Sequence, residues 1–337
     1  MLYITTRNKM DSYTAYRALR AGFSDDGGQF IPLRLPKFDS TQIAAMQDQS
    51  FNEIVANVLN LFFTAHLTGW DVEFAVGRKP FKIVDMGRKT VVAELWRNTE
   101  GSFQAVSNRL FDRLCDNKAT NMSPVGWADI AIRIAFVFGI YGELSRMGIQ
   151  ELDASAYGKD MNTAIAFWYA GQMGLPVGKI ICGTNENCWT WDLLHKGEVG
   201  LFDGIKTSTP ALDTIPNGLE RLIYSALGPV ETSKYLAAMN GKSYYKVSAD
   251  MQSKLSQGLF VAVVGQQRVK DIIGSIYRTN TYLLDPYTAI SYGALQDFRA
   301  KTGENRVTLM LTEENPVRYS DLLADATGLS EQAIYKQ

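Results

Sequence analysis

The chain has 337 residues, 46% of them hydrophobic and 20% charged, which is enough apolar material for one large core or two smaller ones. Lys and Arg number 34 against 35 Asp and Glu, a formal net charge of -1. That balance excludes a global field drawing the chain to nucleic acid or to an anionic membrane surface. No stretch approaches the roughly 20 consecutive apolar residues of a spanning helix, and the opening MLYITTRNKMDSY lacks the apolar run of a signal peptide. A cytoplasmic location is the expectation. Cys115, Cys182 and Cys188 are too few and too scattered for a disulfide framework, and with only His66 and His195 beside them a Cys/His zinc site is not expected. They read as buried or half-buried thiols.

In chain order, AGFSDDGGQFIP (21–32) is a break, with two acids and two glycines ahead of an extended apolar pair closed by proline. Its adjacent acids, Asp25 and Asp26, point different ways and lack further ligands nearby, so a turn is expected there and not a metal site. Residues 51–66 place Ile54, Val55, Val58, Leu61 and Phe62 at helical spacing. A helix with a solvated basic face of Arg109, Arg113 and Lys118 is expected from Val106 to Cys115. Residues 128–147 are apolar on nearly every side in their middle, the pattern of an interior helix.

From there strand and helix alternate. Thr163–Met173 reads as a helix ended by Gly174 and Pro176, VGKIICGT (177–184) as a buried strand, and Trp189–Lys196 as a short helix closed by Gly197. Leu259–Gly265 reads as a strand, Val269–Thr279 and Thr288–Thr302 as helices, and Arg306–Thr312 as a last strand. Apolar strands alternating with helices predict an α/β architecture around a mostly parallel sheet. Trp168, Tyr169, Trp189 and Trp191 suggest a stacking surface, although aromatics beside helices more often belong to a core.

Several strings in series carry a resemblance. YITTRN (3–8) and ALRAGFSDDGGQFIP (18–32) are followed by AFWYAGQMGLPVGKIICGTNENCWTWDLLHKGE (166–198), KTSTPALDTIPNGLERLIY (206–224) and DPYTAISYGAL (285–295). In this order they resemble the threonine synthase family, members of the fold-type II pyridoxal-phosphate enzymes. The resemblance implies that fold: an α/β core with a mostly parallel sheet flanked by helices, plus an N-terminal extension. On this reading residues 1–93 form the N-terminal domain and 94–337 the α/β core.

Three departures from the family's motifs stand out. Where the family reads E-L-F-H-G-P-T-x-A-F-K-D, with the lysine forming the cofactor imine, this chain reads ELWRNTEGSFQA (94–105). Glu94 and Leu95 keep their places, and Gln104 stands for the lysine; an amide forms no imine. The family's smaller lobe, with its S-G-D-T-G-S motif against the cofactor ring, has no counterpart, and a deletion is expected between about 114 and 120. Beyond it SPVGWADIAIR (123–133) replaces N-S-I-N-W-x-R-x-x-x-Q, so Asp129 stands for an arginine and Arg133 for a glutamine. The family's S-G-N-F-G phosphate cup becomes GKDMN (158–162), in which Gly158 still suits a tight turn and Lys159 adds a charge.

The resemblance therefore implies an ancestral pyridoxal phosphate that this chain no longer holds, and no cofactor or metal is expected. Lys159, Asp129, Arg133 and Glu94 are the candidates for any remaining chemistry, although a solvated turn lysine is the plainer reading of Lys159. Gly158, Asp160, Asn162, Thr184, Asn185, Ser208 and Thr209 are the candidate ligand-binding residues. Asp160 suits a helix cap, TNEN (184–187) lies past a strand where open α/β sheets place ligands, and Ser208 and Thr209 are hydroxyls beside Lys206. For TNEN and for 206–209 a plain turn or polar loop is the competing reading. The leading expectation is a repurposed protein that binds a small anionic or amino-acid-like metabolite in the remnant cleft, with or without cofactor-independent catalysis. The alternative is a pseudoenzyme that meets a protein partner, or itself, through the surface uncovered by the missing lobe. A residual pyridoxal enzyme using Lys159 ranks last.

Overall fold

The computed structural model describes residues 1–98, 101–116, 122–124, 126–158, 161–200, 216–241 and 243–336. Strand β1 (Leu2–Thr5) lies between β2 (Tyr13–Thr14) and β3 (Phe30–Pro32), antiparallel to both. Helix α1 (Ala15–Arg20) follows β2 directly. Ahead of β3, the acids of the 21–32 break close a turn as expected: the Asp26 carboxylate accepts from the Gly28 N–H, and Thr5 and Ser24 donate to it. Helices α2 (Ser40–Ala44), α3 (Phe51–Phe63) and α4 (Gly69–Val76) each start on a reciprocal capping box: Asp39 with Gln42, Ser50 with Glu53 and Thr68 with Asp71.

The chain then enters the main sheet through the hairpin of β4 (Lys82–Asp85) and β5 (Thr90–Glu94), so the expected domain boundary at residue 93 falls inside β5. Helices α5 (Phe103–Leu114) and α6 (Trp127–Arg146) follow. The Ser102 hydroxyl caps α5, and starting three residues ahead of the expected Val106 places Gln104 in its first turn. Helix α6 is buried along almost its whole length, as its apolar composition predicts. It packs on α3 through glycine: a Cβ at Gly139 would stand 2.5 Å from the Phe51 ring, and one at Gly142 would overlap Ile54. At its start the wholly buried Trp127 meets the rings of Tyr3, Phe62 and Tyr169 at 6.1, 5.5 and 5.2 Å, joining the N-terminal sheet, α3 and the core.

Next come β6 (Leu152–Tyr157), α7 (Asn162–Gln172), β7 (Val177–Thr184), α8 (Trp189–Lys196) and the short β8 (Glu198–Val199). Beyond residue 215, α9 (Gly218–Leu227) and α10 (Pro229–Asn240) lead to β9 (Tyr245–Lys246), which pairs β8, and to α11 (Ala249–Leu255). Then β10 (Leu259–Val263), α12 (Gln266–Asn280), α13 (Pro286–Thr302), β11 (Thr308–Thr312), α14 (Ser320–Thr327) and α15 (Glu331–Ile334) complete the described chain. The main sheet runs β10-β7-β6-β11-β5-β4, parallel throughout except for β4 at its edge. Period-two alternation sends Val91 and Leu309 into the core on one face and Val92 and Met310 into the core on the other. The predicted α/β fold with a mostly parallel sheet flanked by helices is the one observed.

Among the described residues no helix is long and apolar enough to cross a membrane, and no group of three His, Cys, Asp or Glu side chains is placed to hold a metal ion. None of the three cysteines forms a disulfide; Cys115 and Cys182 are buried and Cys188 is half-buried. Arg113 is not part of a solvated basic face, because it pairs with Asp71 and ties α5 to α4. Trp189 and Tyr169 are core residues, whereas Trp191 stacks on His195 at 4.6 Å.

Candidate functional site

Parallel strands end together, and the side chains just past those ends face one crevice. Here the carboxyl ends of β6 and β11, with the first turns of α5, α7 and α13, enclose a cavity of roughly 170 Å³. Gln104, Arg133, Thr163, Tyr157, Tyr287, Asp285, Glu313 and Glu314 supply most of its polar and aromatic lining.

Arg133 organises one wall. It is 6% exposed, and its guanidinium lies 5.0 Å above the Phe103 ring. Its Nε donates to Asp129 Oδ2 at 3.0 Å, one helical turn back, and its Nη1 donates to Thr163 Oγ1 at 2.8 Å and to Glu313 Oε1. Thr163 in turn donates to the same Glu313 oxygen at 2.8 Å. Asp129, almost wholly buried, also accepts from Asn162 Nδ2 at 2.9 Å. Five side chains that were separate candidates or unremarked in the sequence therefore form one charged network, fixed to the start of α7. A buried guanidinium needs such partners, because an unpaired charge there costs several kcal/mol, on the order of 3–5.

The opposite wall is the start of α13. Asp285 caps this helix: its Oδ1 accepts from the N–H groups of Tyr287 and Thr288 at 2.9 and 3.0 Å, and its Oδ2 from the hydroxyls of Thr288 and Thr312. Burial pushes its pKa above the usual carboxylate range, and these hydrogen bonds oppose the rise. Glu314 is raised too, by burial, with Arg318 opposing and the charges of Asp285 and Glu313 adding to it. The rings of Tyr157 and Tyr287 lie 4.8 Å apart, and Tyr319 meets Tyr287 edge-on at 5.7 Å. Burial raises the Tyr319 phenol above its ordinary pKa.

Of the candidates, Gln104, Asp129, Arg133 and Asn162 come together here. Gln104 is exposed at the rim, its amide donating to Asn108 Oδ1 at 3.1 Å. Glu94 is buried at the end of β5 and does not line the cavity; its carboxylate accepts from Arg97 Nε and the Tyr282 hydroxyl, each at 2.8 Å, so it fastens the segment after β5 to the chain ahead of α13. Gly158 is pinned to the sheet, its N–H donating to Gly183 O at 2.7 Å, and a Cβ there would press on Cys182 Sγ at 2.8 Å. Thr184 and Asn185 close the turn that the bland reading expected: Asn187 N–H donates to Asn185 Oδ1 at 3.0 Å, and Thr184 Oγ1 lies 3.4 Å from Asn187 O. They do not line the cavity. Lys159, Asp160, Ser208 and Thr209 lie outside the described residues, as do Lys118, Lys206 and most of the interval in which the deletion is expected.

Thr163, Asp285, Glu313 and Glu314 were missed as site residues. The sequence holds a signal for each: two acids immediately past a buried strand, an Asp-Pro helix start, and a hydroxyl at the second position of a helix. None distinguishes a site from ordinary capping until the strand ends are seen to converge.

Residues 2–77 match the family described as threonine synthase N terminus. The chain is 21% identical to the threonine synthase of Pseudomonas aeruginosa, covering 97% of this chain and 90% of that protein. That match runs over 430 aligned positions although this chain has 337 residues, so the relative carries sequence with no counterpart here. A threonine synthase-like 1 protein of Pongo abelii is 22% identical over 182 residues, 51% of this chain and 24% of that protein. The chain spans only about a quarter to a half of the length of the first curated relatives it matches. The crystal structure of a threonine synthase from Brucella melitensis with bound pyridoxal phosphate superposes with a TM-score of 0.85 at 19% identity, over 98% of this chain and 92% of that one.

The fold, with its crevice at the carboxyl edge of the sheet, is that of the fold-type II pyridoxal-phosphate enzymes. Among proteins of that fold the chain is similar to the threonine synthases, through the N-terminal family model at residues 2–77 and the Pseudomonas aeruginosa enzyme along nearly its whole length.

The cofactor of that class needs an amine for its aldehyde and donors for its phosphate. The described lining does not fit it. No lysine lines the cavity among the described residues, Gln104 occupies the rim with an amide, and the donors of Arg133 and Thr163 are engaged by a carboxylate. Asp285, Glu313 and Glu314 face a single guanidinium in the lining, a charge balance unfavourable to a dianionic group.

Proposed function

We propose that this chain is a threonine-synthase-like protein that has given up pyridoxal-phosphate chemistry and binds a small anionic or amino-acid-like metabolite in the cavity between α7 and α13. The observation that carries this reading is Gln104 at the rim of a polar cavity whose described lining offers no amine. A volume of roughly 170 Å³ suits a ligand of a few heavy atoms, below the roughly 300–1,000 Å³ of larger small-molecule pockets. Arg133 and the carboxylates opposite supply both signs of charge, the requirement for a zwitterion. Asp129 sits behind Arg133, and Glu94 lies away from the cavity, so the proposal gives them structural roles and assigns binding, without turnover.

Two measurements on the wild-type protein test it. Added pyridoxal phosphate is expected to give no imine absorbance band and no pyridoxyl-lysine after borohydride reduction; a band that survives gel filtration refutes the loss of cofactor chemistry. Thermal shift against free amino acids, phosphorylated amino acids and organic acids is expected to single out one small class. No response across the panel overturns the binding role.

A second reading, a subunit for a protein partner or for self-association, draws on Trp70 and Phe74. They stand one turn apart on α4 and are 79% and 86% exposed. Helix α4 is tied by Asp71–Arg113 to α5, the last helix before the interval in which the deletion is expected. Light scattering on the wild type and on Trp70→Glu/Phe74→Glu checks it: a monomer with an unchanged solution mass in both removes the self-association form.

A further inference from the structure

The start of α7 already holds an anion, and it belongs to the chain. Glu313 lies just past the end of β11, 150 residues from Thr163 and 180 from Arg133, yet one of its carboxylate oxygens takes hydrogen bonds from both. The two donors differ in kind: a planar guanidinium, 6% exposed and held in place by Asp129, and a hydroxyl in the first turn of an 11-residue helix. Helix starts carry positive potential and favour an anion, and no side chain at position 161 caps this one. A buried cation and a hydroxyl from the first turn of a helix, converging on one oxygen, make an oxyanion receptor. Its occupant is the part most open to solvent: the Glu313 side chain is 29% exposed, whereas those of Arg133 and Asp129 are 7% and 2% exposed.

We propose that Glu313 is a built-in ligand of this oxyanion site, and that a small phosphate or carboxylate enters only by displacing it. The inference rests on the metabolite-binding reading and deepens it, by naming the ligand group and its competitor. With Glu313 seated, a ligand anion meets three lining carboxylates and an arginine already engaged by one of them. Once Glu313 swings out, the same movement takes one negative charge out of the cavity and frees the donors of Arg133 and Thr163. Affinity for an anion is then set by the difference between two anions on the same donors, which is why the wild-type protein should hold phosphate weakly.

The test uses inorganic phosphate and acetate, titrated calorimetrically at constant ionic strength into the full chain. Glu313→Ala is expected to bind phosphate saturably and at least about tenfold more tightly than wild type, a change of about 1.4 kcal/mol; Arg133→Met added to Glu313→Ala should abolish the gain. Acetate gaining more than phosphate assigns the site to carboxylate ligands, and the reverse to phosphate; a gain in either supports the internal ligand. Equal affinity in wild type and Glu313→Ala for both anions overturns the proposal, as does a gain that persists without Arg133. If Glu313→Ala does not fold, Glu313→Gln removes the charge at nearly constant shape, and the absence of any gain there overturns the proposal as well. Absorbance with pyridoxal phosphate and the amino-acid thermal shifts of the wild type do not depend on these variants, so the broader reading stands or falls separately.

Discussion

Arg133 and Glu313 are bonded across the carboxyl edge of the sheet, and Thr163 donates to the same carboxylate oxygen between them. The pair joins α6, α7 and the segment after β11, and its arginine is buried while its glutamate is partly open to solvent. The two partners should therefore respond unequally to substitution.

Arg133→Met leaves Asp129 and Glu313 without their cation in a poorly solvated place and is expected to cost about 3–5 kcal/mol. Glu313→Gln retains an acceptor and should cost about 1–2 kcal/mol. Urea unfolding of the two single variants and the double variant should show a coupling of about 0.5–3 kcal/mol. Strict additivity shows that the pair does not act as a unit.

Asp285 gives a pH signature. Burial lifts its folded pKa above that of the unfolded chain, so the folded state keeps a proton that the unfolded state releases. Its stabilising contribution is full below the ordinary carboxylate range near 4 and is lost as pH rises through the raised value. Asp285→Asn removes that titration while preserving a helix cap, so its stability relative to wild type should be poorer at acid pH than at pH 7. Unfolding curves at several pH values read this directly, and a pH-independent difference contradicts it.

Asp71 has the opposite sign. Hydrogen bonds from Arg113 and from Thr68 hold its pKa down at about 2. Its contribution is present above the ordinary carboxylate range and is lost as pH falls through about 2. Asp71→Ala should cost about 1–2 kcal/mol at pH 7, from the capping box and the ion pair together. The penalty should shrink as the medium is acidified toward that value, which acid titration of helical circular dichroism in both proteins would reveal.

Gly139→Ala tests the contact of α3 with α6. The added methyl raises helix propensity by about 1 kcal/mol, but it meets the Phe51 ring at 2.5 Å. Overpacking of about 1–3 kcal/mol should win, giving a lower thermal midpoint. A higher midpoint means that Phe51 moves aside freely.

The alternation of helix and strand was legible because burial on both faces makes a parallel strand continuously apolar: VGKIICGT became β7 over the same residues, and the apolar 128–147 segment became α6 almost intact. The motif series carried the resemblance to the threonine synthases, and ELWRNTEGSFQA showed that residue 104 carries no amine. Local sequence also determined the helix starts, since Ser50, Thr68 and Asp285 each cap within three residues of themselves. What it did not determine is which charges meet. Asp129 and Arg133 share a helix face by spacing alone, but Thr163 and Glu313 join them only because the ends of β6 and β11 lie side by side, and strand order in a parallel sheet is set by long-range packing. The same long-range choice removed Glu94 from the site: at the end of β5 its carboxylate meets Arg97 and Tyr282 instead of the cavity, and no local pattern distinguishes those two outcomes.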